Sequence, residues 1–362
     1  MIPVTKPFMP PIEDYEAYIK DIWKREWLTN SGPLVTELEQ ELIEYHDVDN
    51  LKFVTNGTIA LQFAMKALEL HGEIITTPFS YVATTSSIVW EGCRPVFVDI
   101  DSGTLNMDPE LIENSITADT SAILATHVFG NPCDIEAIIK IAKNNKLKVI
   151  FDAAHCFGSR YKGRSVYTYG DISTASFHAT KIYQTVEGGA VISKDPDVSE
   201  RISFMRNFGH DGPLKFNGLG INGKNSEFHA AMGLCNLTYI DQILAARKKQ
   251  CMLYDDLLKD LKAEKQHVLP GAEINHSYYP LIFENETMAV EMQAELEKED
   301  IYTRRYFYPS LSKLSYVSRQ QTPVSDEIVS KILCLPLYFD LKEHEQERVA
   351  KILMRTQKKK VF

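Results

Sequence analysis

Seven short apolar runs, separated by helix-length segments, constrain this chain more than any other feature. They are LKFVT (51–55), EIIT (73–76), RPVFV (94–98), AILAT (122–126), LKVIF (147–151), ISTASF (172–177) and GAVIS (189–193). Each has the length of a strand, and most are nearly continuous in apolar residues, as strands covered on both faces are. Residues 58–70, 80–90 and 133–144, which lie between runs, have helical spacing. This alternation predicts an α/β fold with a mainly parallel sheet. Leu34, Leu38 and Leu42 recur at four-residue intervals in 34–46 and predict an amphipathic helix. From about 195 to 260 the pattern is helical, broken by a glycine-rich loop at 209–223. The long stretch from Ser226 to Leu261 reads as a bridge to a second unit. Beyond it SYYPLIFE, TMAVEMQAELEKED and ILCLPLYFD predict a small α+β domain. The expected division is a large domain over 1–245 and a small one over 246–362.

Composition narrows the function classes. A chain of 362 residues, 44% of them hydrophobic, exceeds one small core. The net charge of −10 argues against nucleic acid or an anionic membrane as partner through the overall field. Six scattered cysteines without a C-x-x-C pair read as reduced thiols of a cytoplasmic protein, not as a zinc site or a disulfide framework. The start, MIPVTKPFMPP, has no signal-peptide core, and no apolar run reaches the length of a membrane span. His344 and the basic end KKKVF read as solvated.

In an open α/β sheet, ligands bind beyond the carboxyl ends of the strands, so the residues that follow each run carry most weight. After LKFVT, Asn56-Gly57-Thr58 opens a helix. A helix start offers free N–H groups and a positive dipole end to a phosphate, and Thr58 adds a hydroxyl; taken alone, the stretch reads first as an ordinary capped turn. After LKVIF stands Asp152, with His155 three residues on. A carboxylate there requires a cationic partner or has its pKa raised, and a protonated cofactor ring or a structural ion pair both meet that need. After ISTASF, Ser176 and Lys181 lie five residues apart. A lysine that loses charge through burial becomes a nucleophile able to form a Schiff base; exposed, it is one more surface lysine. GLGING (218–223) matches G-x-G-x-x-G but follows no strand, so it is not read as a dinucleotide site. A phosphate-ready helix start, a carboxylate and a lysine together are what pyridoxal 5'-phosphate requires, and Tyr81, soon after EIIT, supplies an aromatic to stack on its ring.

At these residues the chain resembles the DegT/DnrJ/EryC1/StrS family of sugar aminotransferases. The resemblance runs from WLTNSGPLVTELEQEL through TNGTIAL, ATHVFGNPCDIEAI, FDAAHCFGS and SFHATKIYQTVEGGAVIS to GINGKNSEFHAAMGL and ILCLPLYFD. It implies the fold-type-I, aspartate aminotransferase-like architecture: a seven-stranded, mainly parallel sheet with a small α+β C-terminal domain. It implies that Lys181 binds the cofactor aldehyde and shuttles protons, that Asp152 pairs with the ring nitrogen, and that His155 stands beside the phenolic oxygen, where many relatives carry Gln. Tyr81 would stack on the ring, and Gly57, Thr58 and Ser176 would hold the phosphate. Asn222, delivered with Lys224 by the glycine-rich loop, would reach the cofactor of a neighbouring subunit, which implies a homodimer with shared sites. The implied reaction passes the amino group of L-glutamate to a nucleotide-linked 4-keto-6-deoxy sugar, for amino-sugar biosynthesis in surface polysaccharides such as the lipopolysaccharide O-antigen. The expected acceptor is dTDP-4-dehydro-6-deoxy-D-glucose. The alternatives are C3 amination, a UDP- or GDP-linked sugar, or a non-catalytic sensor. A dehydratase of the same fold would carry histidine in place of Lys181. Arg304, Arg305 and Tyr308 are candidates for the pyrophosphate or the sugar, with a surface ion-pair cluster as the competing reading.

Overall fold

The computed structural model describes residues 1–358; residues 359–362 of the basic end lie outside them. All seven runs form strands of one sheet: β1 (Leu51–Val54), β2 (Glu73–Thr76), β3 (Arg94–Phe97), β4 (Thr120–Thr126), β5 (Lys148–Asp152), β6 (Ile172–Ser176) and β7 (Gly189–Ile192). Their order across the sheet is β1-β7-β6-β5-β4-β2-β3. Every pair from β6 to β3 is parallel, and β7 alone runs antiparallel to both neighbours. The interior strands are buried on both faces, which is why they read as unbroken apolar runs.

Helices fill the connections. Those that matter here are α1 (Ile12–Arg25), α2 (Pro33–His46), α3 (Gly57–Ala67), α4 (Val82–Trp90), α5 (Ile135–Asn145), α6 (Pro196–Met205), α7 (Glu227–Thr238) and α8 (Ile240–Leu257). One core, which includes Leu38, Phe53, Phe151, Phe177 and Tyr183, lies on one side of the sheet. Another, around Ala64, Met65, Ile74 and Ile150, lies on the other. Leu61 and Ala64 of α3 pack there beside Val191 of β7.

The expected long bridge is two helices. The chain breaks at Tyr239, whose φ/ψ of −103°/0° ends α7, and its hydroxyl donates to Asp14 Oδ2 at 2.6 Å. α8 then runs between cores, with Ile243 in the sheet core and Cys251 and Tyr254 in a C-terminal one. The C-terminal part contains a two-stranded antiparallel sheet, β8 (Pro280–Ile282) with β9 (Ile332–Cys334), and α9 (Glu286–Glu297), α10 (Pro323–Lys331) and α11 (Glu343–Lys358). The first residues of the chain also pack there: Ile2 N donates to Asp300 O at 2.8 Å and Ile2 is buried in that core.

Candidate active site

The carboxyl ends of β1, β4, β5 and β6 converge on a cavity of about 390 Å³. Gly57, Thr58, Tyr81, Asp152, His155, Ser176, Lys181 and Arg304 all line it. These residues come from connections far apart in sequence, and the parallel topology brings them together.

The α3 N-terminus forms one wall. Asn56 caps it, its Oδ1 accepting from Ile59 N at 2.9 Å. The N–H groups of Gly57 and Thr58 belong to the first turn and have no intrahelical acceptor. A side chain at Gly57 would bring a Cβ within 2.9 Å of Ser176 Cβ. The pair after Lys181 has a related reason: a Cβ at Gly189 would lie 2.5 Å from the Asn56 carbonyl carbon. Glycine at both positions lets the helix start press against the ends of β6 and β7.

Asp152, 6% exposed, ends β5. Its Oδ2 accepts from Thr84 Oγ1 at 2.8 Å and its Oδ1 from Ala154 N at 3.2 Å. Burial raises the pKa of the carboxyl, while those two donors and the Lys181 cation oppose the rise. Thr84 Oγ1 lies 2.7 Å from Ser80 Oγ, which lies 3.1 Å from Thr126 Oγ1. Lys181 sits in the loop between β6 and β7, its N–H donating to His178 O at 2.8 Å. Its side chain is partly buried and lines the cavity. Burial brings the amine from its usual 10.5 down to about 8, with Arg304 acting the same way and Asp152 and Cys156 opposing. The site thus holds an amine that is partly neutral near physiological pH, as a nucleophile requires.

His155 is buried, and its Nδ1 accepts from Phe129 N at 3.3 Å. Nδ1 therefore carries no proton and Nε2 does. Burial, then the Lys181 charge, holds the imidazole pKa well below its usual range, so the ring is neutral. The rings of Phe129 and Phe307 lie nearly parallel to it, 6.2 and 6.0 Å away. Tyr81, which precedes α4, is half exposed at the cavity wall.

Four candidates stand elsewhere. Arg305 pairs with Glu286 at 2.6 Å, donates to Ser330 O at 2.7 Å and covers the Tyr308 ring at 4.0 Å. Neither Arg305 nor Tyr308 lines the cavity. Asn222 and Lys224 also point elsewhere: Lys224 Nζ donates to Asn222 Oδ1 at 2.8 Å, and Lys224 borders a separate open depression with Asn30, Asn207 and Phe208. Of the second-domain candidates, only Arg304 reaches the cavity, its guanidinium over the Tyr306 ring at 4.9 Å.

The sequence reading passed over Ser80, Thr84, Thr126, Glu187, Tyr278 and Tyr306, which also line the cavity. Thr84 was within reach, because it lies one helical turn after Tyr81. Tyr278 and Tyr306 were not, because only the tertiary fold brings the C-terminal part over the sheet.

The DegT/DnrJ/EryC1/StrS aminotransferase family model matches residues 12–354. The chain belongs to that family. It is 41% identical to the dTDP-4-amino-4,6-dideoxy-D-glucose transaminase of Shigella dysenteriae over 345 residues, covering 93% of this chain and 94% of the relative. It is 30% identical to the GDP-perosamine synthase of Escherichia coli O157:H7, covering 95% of each. A crystal structure of DesI with its TDP-sugar product superposes with a TM-score of 0.94 at 30% identity, over 99% of this chain and 94% of that one. The protein is a sugar aminotransferase, and pyridoxal 5'-phosphate is its cofactor. The cavity fits that group: a buried carboxylate for a ring cation, an amine of lowered pKa for an aldehyde, and a capped helix start on the cavity lining for a phosphate.

Proposed function

We propose that the protein transfers the amino group of L-glutamate to C4 of dTDP-4-dehydro-6-deoxy-D-glucose, giving dTDP-4-amino-4,6-dideoxy-D-glucose. The observation that carries this reading is the 41% identity with the Shigella dysenteriae transaminase over 94% of its length, against 30% for the GDP-perosamine synthase.

When bound, the cofactor supplies the electron sink for deprotonating the carbon that bears the donor's amino group. The chain's own residues do the rest. Lys181 Nζ would tether the group and, as an amine of lowered pKa, would serve as general base for the proton on the donor's α-carbon. Asp152 holds the ring nitrogen through its carboxylate. His155, neutral and protonated on Nε2, donates to the phenolic oxygen. The N–H groups of Gly57 and Thr58, with the hydroxyls of Thr58 and Ser176, bind the phosphate, and Tyr81 covers the ring. Arg304 takes an anionic part of a substrate.

We read the working unit as a homodimer with Asn222 and Lys224 serving the neighbouring site. Both lie away from their own cavity, and Phe208, Leu214, Phe216 and Leu219 of the same loop are exposed apolar side chains. No described helix is long and apolar enough to cross a membrane. All six cysteines are free and buried, which supports a reducing, cytoplasmic setting.

The test is incubation with L-glutamate and dTDP-, GDP- and UDP-linked 4-keto-6-deoxy sugars, with the amine located by NMR. The expected result is a C4 amine formed fastest on the dTDP sugar. Faster turnover of the GDP sugar, or an amine at C3, overturns the reading.

A further inference from the structure

The three hydroxyls beyond Asp152 have no assigned part in the reaction. Thr126 ends β4, Ser80 follows β2, and Thr84 sits in the first turn of α4; they are 3%, 1% and 0% exposed. They run in file to the carboxylate, with steps of 3.1 Å from Thr126 Oγ1 to Ser80 Oγ, 2.7 Å to Thr84 Oγ1 and 2.8 Å to Asp152 Oδ2.

Each hydroxyl has one proton to give, and an ionised carboxylate only accepts. Thr84 therefore spends its proton on Asp152. Ser80 must then donate to Thr84, and Thr126 to Ser80, so one direction satisfies the whole file. Protonating Asp152 on Oδ2 reverses it. Thr126 would then receive a proton at one end and have its own to place. Thr126 Oγ1 makes no other hydrogen bond among the described residues, so reversal leaves a hydroxyl hydrogen of a buried residue without a protein acceptor. With Asp152 ionised every hydroxyl of the file has a protein acceptor, whereas a proton on Oδ2 turns the Thr126 hydrogen out towards the cavity that Thr126 lines.

We propose that Thr126, Ser80 and Thr84 are positioning residues, a one-way chain of hydroxyls that keeps Asp152 a carboxylate and fixes the direction in which it faces the cavity. The proposal rests on the reading of Asp152 as partner of the cofactor ring, for which an ionised and oriented carboxylate is the requirement. It explains why this buried acid, disfavoured as an anion by its surroundings, makes its direct hydrogen bonds to a hydroxyl and a backbone N–H and not to an arginine.

The test needs no cofactor. In the apo-protein, Lys181 senses the charge on Asp152. On the same cavity stand His178, Glu187, Tyr278 and Tyr306, and the groups nearest the pair are His155, Cys133, Cys156, Tyr167 and Arg304. Burial holds the imidazole neutral and pushes the thiols and the phenol up, so these stay uncharged near pH 8, and Arg304 stays a cation. Lys181 is labelled with formaldehyde and borohydride across a pH series, and its peptide is quantified by mass spectrometry. The wild-type midpoint is expected near 8. Asp152→Asn removes the charge and sets the full downward displacement. Thr84→Val is expected to move the midpoint most of that way, Ser80→Ala and Thr126→Val part of it, and Thr84→Ser is expected to restore it. A Thr84→Val midpoint equal to wild type overturns the proposal. So does a Ser80→Ala midpoint equal to wild type beside a displaced Thr84→Val, because the file would then reduce to one hydrogen bond. A second measurement, the dissociation constant of pyridoxal 5'-phosphate, is expected to weaken in the same rank order. Midpoints that move while retention does not would leave the file standing and remove Asp152 from the cofactor.

Discussion

Lys181 is the residue on which the chemistry turns, and two outcomes are expected from it. Lys181→Ala retains the circular dichroism and melting profile of a folded protein but lowers turnover by at least ~1,000-fold, in line with the loss of a general base. A variant with wild-type turnover would mean another nucleophile. The second outcome is a pH dependence of stability. The amine titrates at about 8 when folded and at the usual 10.5 when unfolded. Between those values the unfolded chain binds more protons, so the free energy of unfolding rises with pH across the window. Lys181→Met removes that rise. Denaturant unfolding of apo-protein at pH 7.5 and 10 is expected to show a smaller gain for the variant than for wild type, and equal gains would contradict the depressed pKa. Asp152, Lys181 and the helix start at Gly57 were all legible in the sequence, because each stands at the end of an apolar strand or within five residues of it. The hydroxyl file was not. Its members look like any serine or threonine until β2, β4 and β5 are aligned and α4 is packed on them, and nothing in local spacing encodes three steps between 2.7 and 3.1 Å.

At the scale of elements, the strands were the easiest part to read and the helix ends the hardest. A strand buried on both faces displays its burial as an unbroken apolar run. α1 buries only Ile22, so its pattern carries little weight in the sequence. α2 shows how a helix end depends on a distant residue. Its N-cap, Gly32, has no side chain to offer, and a Cβ there would lie 2.5 Å from Glu227 Cδ. Glu227, at the start of α7, does the capping: its oxygens accept from Leu34 N at 2.9 Å and Val35 N at 3.0 Å, and Arg25 Nη1 lies 3.2 Å away. The fully buried glutamate thus ties three helices together and gives a physical role to the glutamate of the GINGKNSEFHAAMGL stretch. Glu227→Ala leaves two N–H groups and Arg25 Nη1 without their acceptor, while Arg25 Nε keeps Asp21, and is expected to lower stability by about 3 kcal/mol. Urea titration measures this, and a loss under about 1 kcal/mol would show that water replaces the carboxylate. Ser226→Ala is the control, since its hydroxyl meets His229 and not α2.

For the whole molecule, the open questions are how the chain divides and what covers its glycine-rich loop. We infer a division near residue 245, supported by a C-terminal core of its own around Tyr254, Tyr279 and Leu353. α8 crosses that point, and Ile2 belongs to the later core, so the two parts share elements and do not meet at a linker. The loop bears on the assembly. If Asn222 serves the neighbouring cofactor, two damaged protomers repair each other in one arrangement only. A dimer of one Lys181→Ala and one Asn222→Ala protomer has one site with both lesions and one with neither. Co-expressed with different tags and isolated by tandem purification, that dimer is expected to show about half the wild-type turnover, with wild-type retention of pyridoxal 5'-phosphate at its intact site. The Asn222→Ala homodimer, by contrast, is expected to lose cofactor on dilution about tenfold more readily, for the loss of one phosphate hydrogen bond. A cis role gives a different result: the mixed dimer would keep its single working lysine beside the damaged asparagine, and its retention would match the Asn222→Ala homodimer. Since the exposed Phe208, Leu214 and Phe216 flank the same loop, a cis result would also leave that apolar surface without the partner subunit that the present reading assigns to it.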